Sequence, residues 1–372
     1  MNTVKHDTDE VLVSCQSVWK VFGENASAAM QAYIERGLSK KQILQDFGCV
    51  VGVSDVNIQL RRGEIFCIMG LSGSGKSTLI RMFNKLIAST SGQILIKGKD
   101  LAKLEGAELR EIRARHIGMV FQGVALLPHR TVLENAAFGL EVRGVSKAER
   151  HRVAEQALAK VGLSDWVNRY PSELSGGMQQ RVGLARAITS DPEVILMDEP
   201  FSALDPLIRR QLQDEFRDLA KSLGKSAVFI THDLEEAIRI GDRIAIMKDG
   251  MIIQEGTAEE IVLHPADDYV ADFVAGISRL HLVKAAAVMT PLDVWRAAQP
   301  QRDVDTLPTA DASADLDELI NLLIRSDRDA LAVVEHGRRV GVVTQRDLLR
   351  GVQGVANEFQ EAHHDAALEN LS

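Results

Sequence analysis

Gly70-Leu71-Ser72-Gly73-Ser74-Gly75-Lys76-Ser77 fits the pattern G-x-x-x-x-G-K-[ST], and its surroundings decide the fold. Just before it runs Ile65-Phe66-Cys67-Ile68-Met69, an apolar stretch that reads as a buried strand; just after it, residues 78–86 carry helical spacing. Strand, glycine-rich turn and helix in that order make a cradle for phosphate. The glycines let successive N–H groups point inward, and the helix N-terminus adds a dipole that favours anions. Gly70, Leu71, Ser72, Gly73, Ser74, Gly75, Lys76, Ser77 and Thr78 are therefore the candidate nucleotide-binding run. Lys76 would reach the β- and γ-phosphates, and the Ser77 hydroxyl would ligate Mg²⁺.

A phosphate loop also needs a carboxylate for the metal. Val194-Ile195-Leu196-Met197-Asp198-Glu199 supplies one at the end of a second buried run, with Asp198 as the metal residue. Glu199 directly after it is the candidate to polarise the attacking water, since an acid of raised pKa can take a proton in the transition state. Further strands are expected at residues 11–18, 53–60, 93–96, 227–230 and 244–247, the last turning through Asp249-Gly250 into a hairpin. Helices are expected at 143–161 and 178–188. Strands alternating with helices predict an α/β domain with a mainly parallel sheet. Residues 24–48 interrupt the early strands and open with Ser39 as a helix cap, so they read as a helical insertion.

The chain has 372 residues, room for one large domain and a smaller one. A formal net charge of −9 disfavours a nucleic-acid partner. Cys15, Cys49 and Cys67 have neither metal-ligand spacing nor the even count of a disulfide framework, which points to a reducing cytoplasm. No apolar run of about 18 residues is present, and the first ten residues lack the apolar core of a signal peptide. Membrane involvement is expected to come through a partner.

Between the two motifs lies Leu174-Ser175-Gly176-Gly177-Met178-Gln179-Gln180-Arg181, which resembles the signature sequence of ABC ATPases. Around it, Gln122 in Val120-Phe121-Gln122 resembles the Q-loop, Ser202-Ala203-Leu204-Asp205 the D-loop, and His232 in Ile230-Thr231-His232-Asp233 the switch histidine. The resemblance covers about residues 11–277. It implies a P-loop ABC ATPase with a RecA-like core, an antiparallel β subdomain and a helical subdomain. In such proteins Ser175, Gly176 and Gly177 face the γ-phosphate held by a second copy, and Asp205 joins that interface. A head-to-tail homodimer with two composite ATP sites is implied. Gln122 would touch Mg²⁺ and water, and its loop would contact an integral membrane permease. Glu199, His232 and Gln122 are the implied catalytic set. For the adenine ring the family uses an upstream aromatic; Phe22 is the candidate, with Trp19 and Tyr33 as substitutes and a core role open for each.

The insertion, with Gly37-Leu38-Ser39-Lys40-Lys41-Gln42-Ile43-Leu44, and the run from Phe201 through Asp205 to Arg209 are similar to glycine betaine/proline uptake ATPases. That resemblance implies a peripheral protein on the cytoplasmic face of the bacterial inner membrane, served indirectly by an extracytoplasmic solute-binding protein. Val288-Met289-Thr290-Pro291 through Leu349 resembles a single α+β CBS unit, in which Thr344 and Asp347 occupy ribose-contacting positions. The expected organisation is an ATPase domain over 1–277, a CBS-like regulatory domain over 278–352 and an acidic tail over 353–372. DNA- or ribosome-associated ABC ATPases share the engine, but carry a long coiled coil or tandem cassettes that are not found here. A regulatory nucleotide sensor acting through the CBS unit is the other rival, and the complete catalytic set argues against it.

Overall fold

The computed structural model describes residues 10–353, which pack as two compact units divided between Thr257 and Ala258. The expected acidic tail over 353–372 lies outside the described residues but for Gln353. The strands of the first unit are β1 (Val11–Phe22), β2 (Val50–Arg61), β3 (Ile65–Met69), β4 (Ser91–Ile96), β5 (Lys99–Asp100), β6 (Ile117–Val120), β7 (Val194–Asp198), β8 (Ser226–Thr231), β9 (Arg243–Lys248) and β10 (Met251–Gly256). They form two sheets. The antiparallel one has the order β2-β1-β4-β5, and the larger one the order β10-β9-β3-β8-β7-β6.

In the larger sheet β9, β3, β8, β7 and β6 are parallel neighbours. Every residue of β3, β7 and β8 is buried, which is why these strands read as continuous apolar runs and not as alternation. One core joins the two sheets: Val13, Val53 and Leu60 from the antiparallel sheet meet Phe66, Ile68, Leu196 and Val228 of the larger one and Leu79 and Phe83 of the helix Lys76–Phe83. Opposed charges reinforce it. Glu193, ahead of β7, accepts from Lys97 (2.7 Å) and Arg62 (2.8 Å) and pairs with His116 Nδ1 at 2.9 Å.

The insertion forms two helices, Ala26–Arg36 and Lys40–Phe47, the second closed by a capping box between Ser39 and Gln42. They bury a small core of their own in which Ala29, Ala32 and Ile43 pack against Val21, Cys49 and Val51. The helix expected over 143–161 is Lys147–Lys160: it starts later because Gly144 takes the left-handed region (φ 76°) after the helix Val132–Val142, and Ser146 caps the new start.

In the second unit β11 (Thr290–Pro291), β12 (Thr309–Asp311), β13 (Ala330–Glu335) and β14 (Arg338–Thr344) form a sheet of order β11-β14-β13-β12. Helices Leu316–Ser326 and Gln345–Gln353 flank it, and Leu319, Leu323, Val333, Val343 and Leu348 share its core. Residues 290–314 include the helix Leu292–Ala298 and the parallel strand β12. The division between the units falls ahead of Ile277. Glu259 accepts from the Lys284 amide at 3.0 Å, and Leu263 packs on the second unit's core, so helix Ala258–Leu263 belongs with that unit.

Candidate active site

The run 70–78 leaves the buried end of β3 and closes into the helix Lys76–Phe83. Two glycines are sterically obligatory. A Cβ on Gly70 (φ 155°) would stand 2.1 Å from the Met247 carbonyl oxygen, and one on Gly75 (φ 107°) 2.4 Å from that of Gly52. The loop is also pinned from the β9–β10 turn, since the Gly250 amide donates to Ser74 O at 2.8 Å. Lys76 is 4% exposed, and its Nζ donates to the carbonyls of Gly70 (2.7 Å) and Leu71 (3.0 Å). Burial pulls its pKa below the usual lysine value, while the nearby carboxylates of Glu199 and Asp198 oppose that shift.

Ser77 and Asp198 meet. The Ser77 hydroxyl donates to Asp198 Oδ1 at 2.8 Å, and Arg81 Nη2 donates to Oδ2 at 3.1 Å. Asp198 is 1% exposed, so a fully buried carboxylate is held between a hydroxyl and a guanidinium. Hydroxyl and carboxylate are hard oxygen donors of the kind Mg²⁺ takes alongside nucleotide phosphates. Among the described residues no cluster of three or more His, Cys, Asp or Glu could hold a metal unaided.

Next along the chain, Glu199 sits in the left-handed region (φ 44°), a conformation that a non-glycine residue adopts only where its surroundings impose it. Its amide donates to Ile230 O on β8, and its carbonyl accepts from the Ser202 hydroxyl at 3.1 Å. Arg209 then fixes the D-loop by donating to Ser202 O and Leu204 O. The turn aims the side chain so that Gln122 Nε2 donates to Glu199 Oε2 at 3.4 Å and His232 Nδ1 stands 3.3 Å from the same oxygen. The three residues of the implied catalytic set, separated by 77 and 33 positions, thus converge on one oxygen.

Phe22 lies on this side of the unit too. A Cβ on Gly52 would be 2.8 Å from the Phe22 ring, so the ring covers Gly52, whose carbonyl backs Gly75. Phe22 is 39% exposed, whereas Trp19 is buried and packs edge-on against Tyr33 with ring centroids 5.8 Å apart. Phe22 packs against Gly52 beside the loop, with Lys20 Nζ over its ring at 4.9 Å from the centroid.

Ser175, Gly176 and Gly177 are elsewhere. Ser175 caps the helix Gly176–Thr189, its hydroxyl accepting from the Met178 amide, and Asp205 caps the helix Pro206–Ser222 in the same manner. Both caps line a groove of about 540 Å³ with Leu204 and Ile208, and no residue of 70–78 is on its wall. In the second unit Thr344 and Asp347 bond to each other: the Thr344 hydroxyl and amide donate to Asp347 Oδ2 at 2.7 and 2.9 Å, and Asp347 N donates back to the hydroxyl.

Several supporting residues escape sequence reasoning. Arg186, on the signature helix, donates to Val124 O (3.0 Å) and Ala125 O (2.7 Å) and so holds the segment that follows Gln122. Asn135, fully buried, donates to the carbonyls of Leu127, Arg130 and Thr131 and accepts from the Leu127 amide. Arg81 had a faint signal, since it follows Ser77 by four residues and shares its helix face.

The phosphate loop, the buried Asp198 with Glu199 beside it, His232 and the capped helix Gly176–Thr189 have the arrangement of an ATPase of the ABC class. The family described as ABC transporter matches residues 53–202, and the CBS domain family matches residues 302–354. The glycine betaine/proline betaine transport system ATP-binding protein ProV of Salmonella typhimurium is 46% identical, over 96% of this chain and 86% of that protein. The trimethylamine N-oxide transport system ATP-binding protein TmoW of Ruegeria pomeroyi is 43% identical, over 91% of this chain and 96% of that protein. Among solved structures, the dimeric post-hydrolysis ATP-binding cassette MJ0796 bound to ADP and Pi matches with a TM-score of 0.56 at 32% identity, over 66% of this chain and 98% of that one. The chain belongs to this family of transport ATP-binding subunits, and its activity is ATP hydrolysis coupled to solute transport. No helix among the described residues is long and apolar enough to cross a membrane.

Proposed function

We propose that two copies of the chain bind ATP head to tail and close on each other to drive a membrane permease. Each composite site would take residues 70–78, Asp198, Glu199, Gln122 and His232 from one copy and Ser175, Gly176 and Gly177 from the other. One observation carries this reading: the signature residues line a groove with Asp205, away from a phosphate loop that has gathered every other site residue. Glu199 orients the attacking water and takes its proton, with Gln122 and His232 fixing the accepting oxygen. Lys76 and the signature amides spread the charge that develops on the γ-phosphate. Ser77 and Asp198 would hold Mg²⁺, which neutralises phosphate charge when bound. Phe22 stacks on the adenine.

The permease would dock beside the Gln122 loop. A groove of about 750 Å³ there is lined by Phe138, Val142, Arg143 and Arg186, the last of which grips the loop itself. We place the assembly on the cytoplasmic face of a bacterial inner membrane, importing a quaternary amine or related compatible solute delivered by an extracytoplasmic binding protein. A Glu199→Gln protein tests the composite site: it should bind ATP, run as a dimer in gel filtration with ATP, and turn over roughly 10³-fold more slowly. Wild-type turnover would remove Glu199 from its role.

A further inference from the structure

His232 has an exposed side chain, and its two neighbours in sequence are held by a closed ring of hydrogen bonds. The Thr231 hydroxyl, 1% exposed, donates to Glu236 Oε2 in a very short contact. The same hydroxyl accepts from the Asp233 amide at 3.0 Å, and Asp233 Oδ1 accepts from the Glu236 amide at 3.2 Å. Residues on both sides of His232 are therefore tied to one buried carboxyl. That carboxyl has a further partner from a different element, since Gln213 Nε2 donates to Glu236 Oε1 at 2.8 Å. Gln213 is 3% exposed and lies two turns into the helix that Asp205 caps. A buried carboxyl is costly unless its oxygens are satisfied, and both oxygens of Glu236 are bonded.

We propose that Thr231 and Glu236 are positioning residues that hold His232 at the Glu199 carboxylate, and that Gln213 fastens this ring to the D-loop helix. The inference rests on the catalytic reading of His232. It deepens that reading by naming what sets the histidine's place: a backbone clamp shared with the helix whose capped end lines the signature groove. Neither Thr231 nor Glu236 touches nucleotide in this scheme. Their effect passes through His232 alone.

Thr231→Val removes the hydroxyl at nearly constant shape. Measured as steady-state ATPase of the full chain assembled with its permease, it should lower kcat at least tenfold and leave the KM for ATP within about twofold. Thr231→Ser restores the hydroxyl and should return kcat to near wild type. Glu236→Gln keeps an acceptor for Gln213 and a polar partner for Thr231, so it should stay within about threefold, while Gln213→Met should lose about threefold. Because groups acting as a unit are not additive, Thr231→Val in a His232→Ala background should be no slower than His232→Ala alone. Thermal midpoints taken alongside, with rates expressed per folded protein, separate this from loss of fold. Wild-type kcat in Thr231→Val or Gln213→Met, or a multiplicative loss in the double variant, would overturn the proposal. Wild-type kcat in His232→Ala would instead overturn the catalytic reading beneath it.

Discussion

The two halves of the nucleotide machinery are built on opposite plans. Around the phosphate loop six functional side chains already have partners: Lys76 on loop carbonyls, Ser77 on Asp198, and Gln122 and His232 on Glu199. At the signature, Ser175, Gly176 and Gly177, at the capped start of helix Gly176–Thr189, line an open groove. The first half is preorganised, which is what electrostatic catalysis requires. The second is a helix N-terminus ready for an anion held by something else. In the proposed head-to-tail pair each chain supplies half of two sites, so activity should depend on which halves are brought together.

Mixing variants tests this most severely. Ser175→Arg should bind ATP almost normally and hydrolyse it roughly 10²-fold more slowly. Lys76→Ala should be inactive for the opposite reason. An equimolar mixture should recover hydrolysis that neither shows alone, because a mixed pair contains one intact composite site. No recovery, read by phosphate release, would mean that both halves act within one chain.

The proposed adenine platform, Phe22, lies in the first half. Phe22→Ala should raise the KM for ATP about five- to tenfold through loss of roughly 1–1.5 kcal/mol of stacking, with kcat unchanged. Trp19→Phe, altering a buried edge-on pair with Tyr33, should change the unfolding midpoint and not the KM. An unaltered KM in Phe22→Ala would move the adenine elsewhere.

The smallest effect concerns what anchors the preorganised half. Burial alone would raise the pKa of Glu193, but hydrogen bonds from Lys97, Arg62 and His116 hold it at about 2, against an ordinary 4.5. A carboxylate depressed on folding contributes stability above its unfolded pKa and loses it as pH falls through the folded one. Glu193→Gln should therefore cost about 1–2 kcal/mol at pH 7, after allowing for solvent screening, and progressively less from pH 4.5 to 2. Urea midpoints across that range read it; a difference independent of pH would assign the loss to packing.

How much was legible follows from distance along the chain. Residues 65–83 declare themselves because strand, loop and helix are contiguous, and Ser39 with Gln42 announces its helix for the same reason. The start of the helix Lys147–Lys160 reads early, at 143, because Gly144 and the cap Ser146 stand beside residues that suit the helical pattern equally well. Choosing Phe22 over Trp19 needed Gly52 beneath the ring, a contact made only on folding. Arg81 and Asp198 are 117 positions apart, and Arg186 and Ala125 are 61. Residue types alone say nothing about such pairs. The signature, Q-loop and switch residues were found by resemblance, since a serine cap or a lone histidine is ordinary by itself.

The grip of Arg186 on the carbonyls of Val124 and Ala125 has a mechanical consequence. Ser175 caps one helix of 14 residues and Arg186 lies in its last turn, about 16 Å further along the axis. A tilt of this helical rod at its capped end would reach the segment after Gln122 through those two bonds. Geometry thus gears the groove at one end of the rod to the loop at the other, as a crank is geared to its wheel.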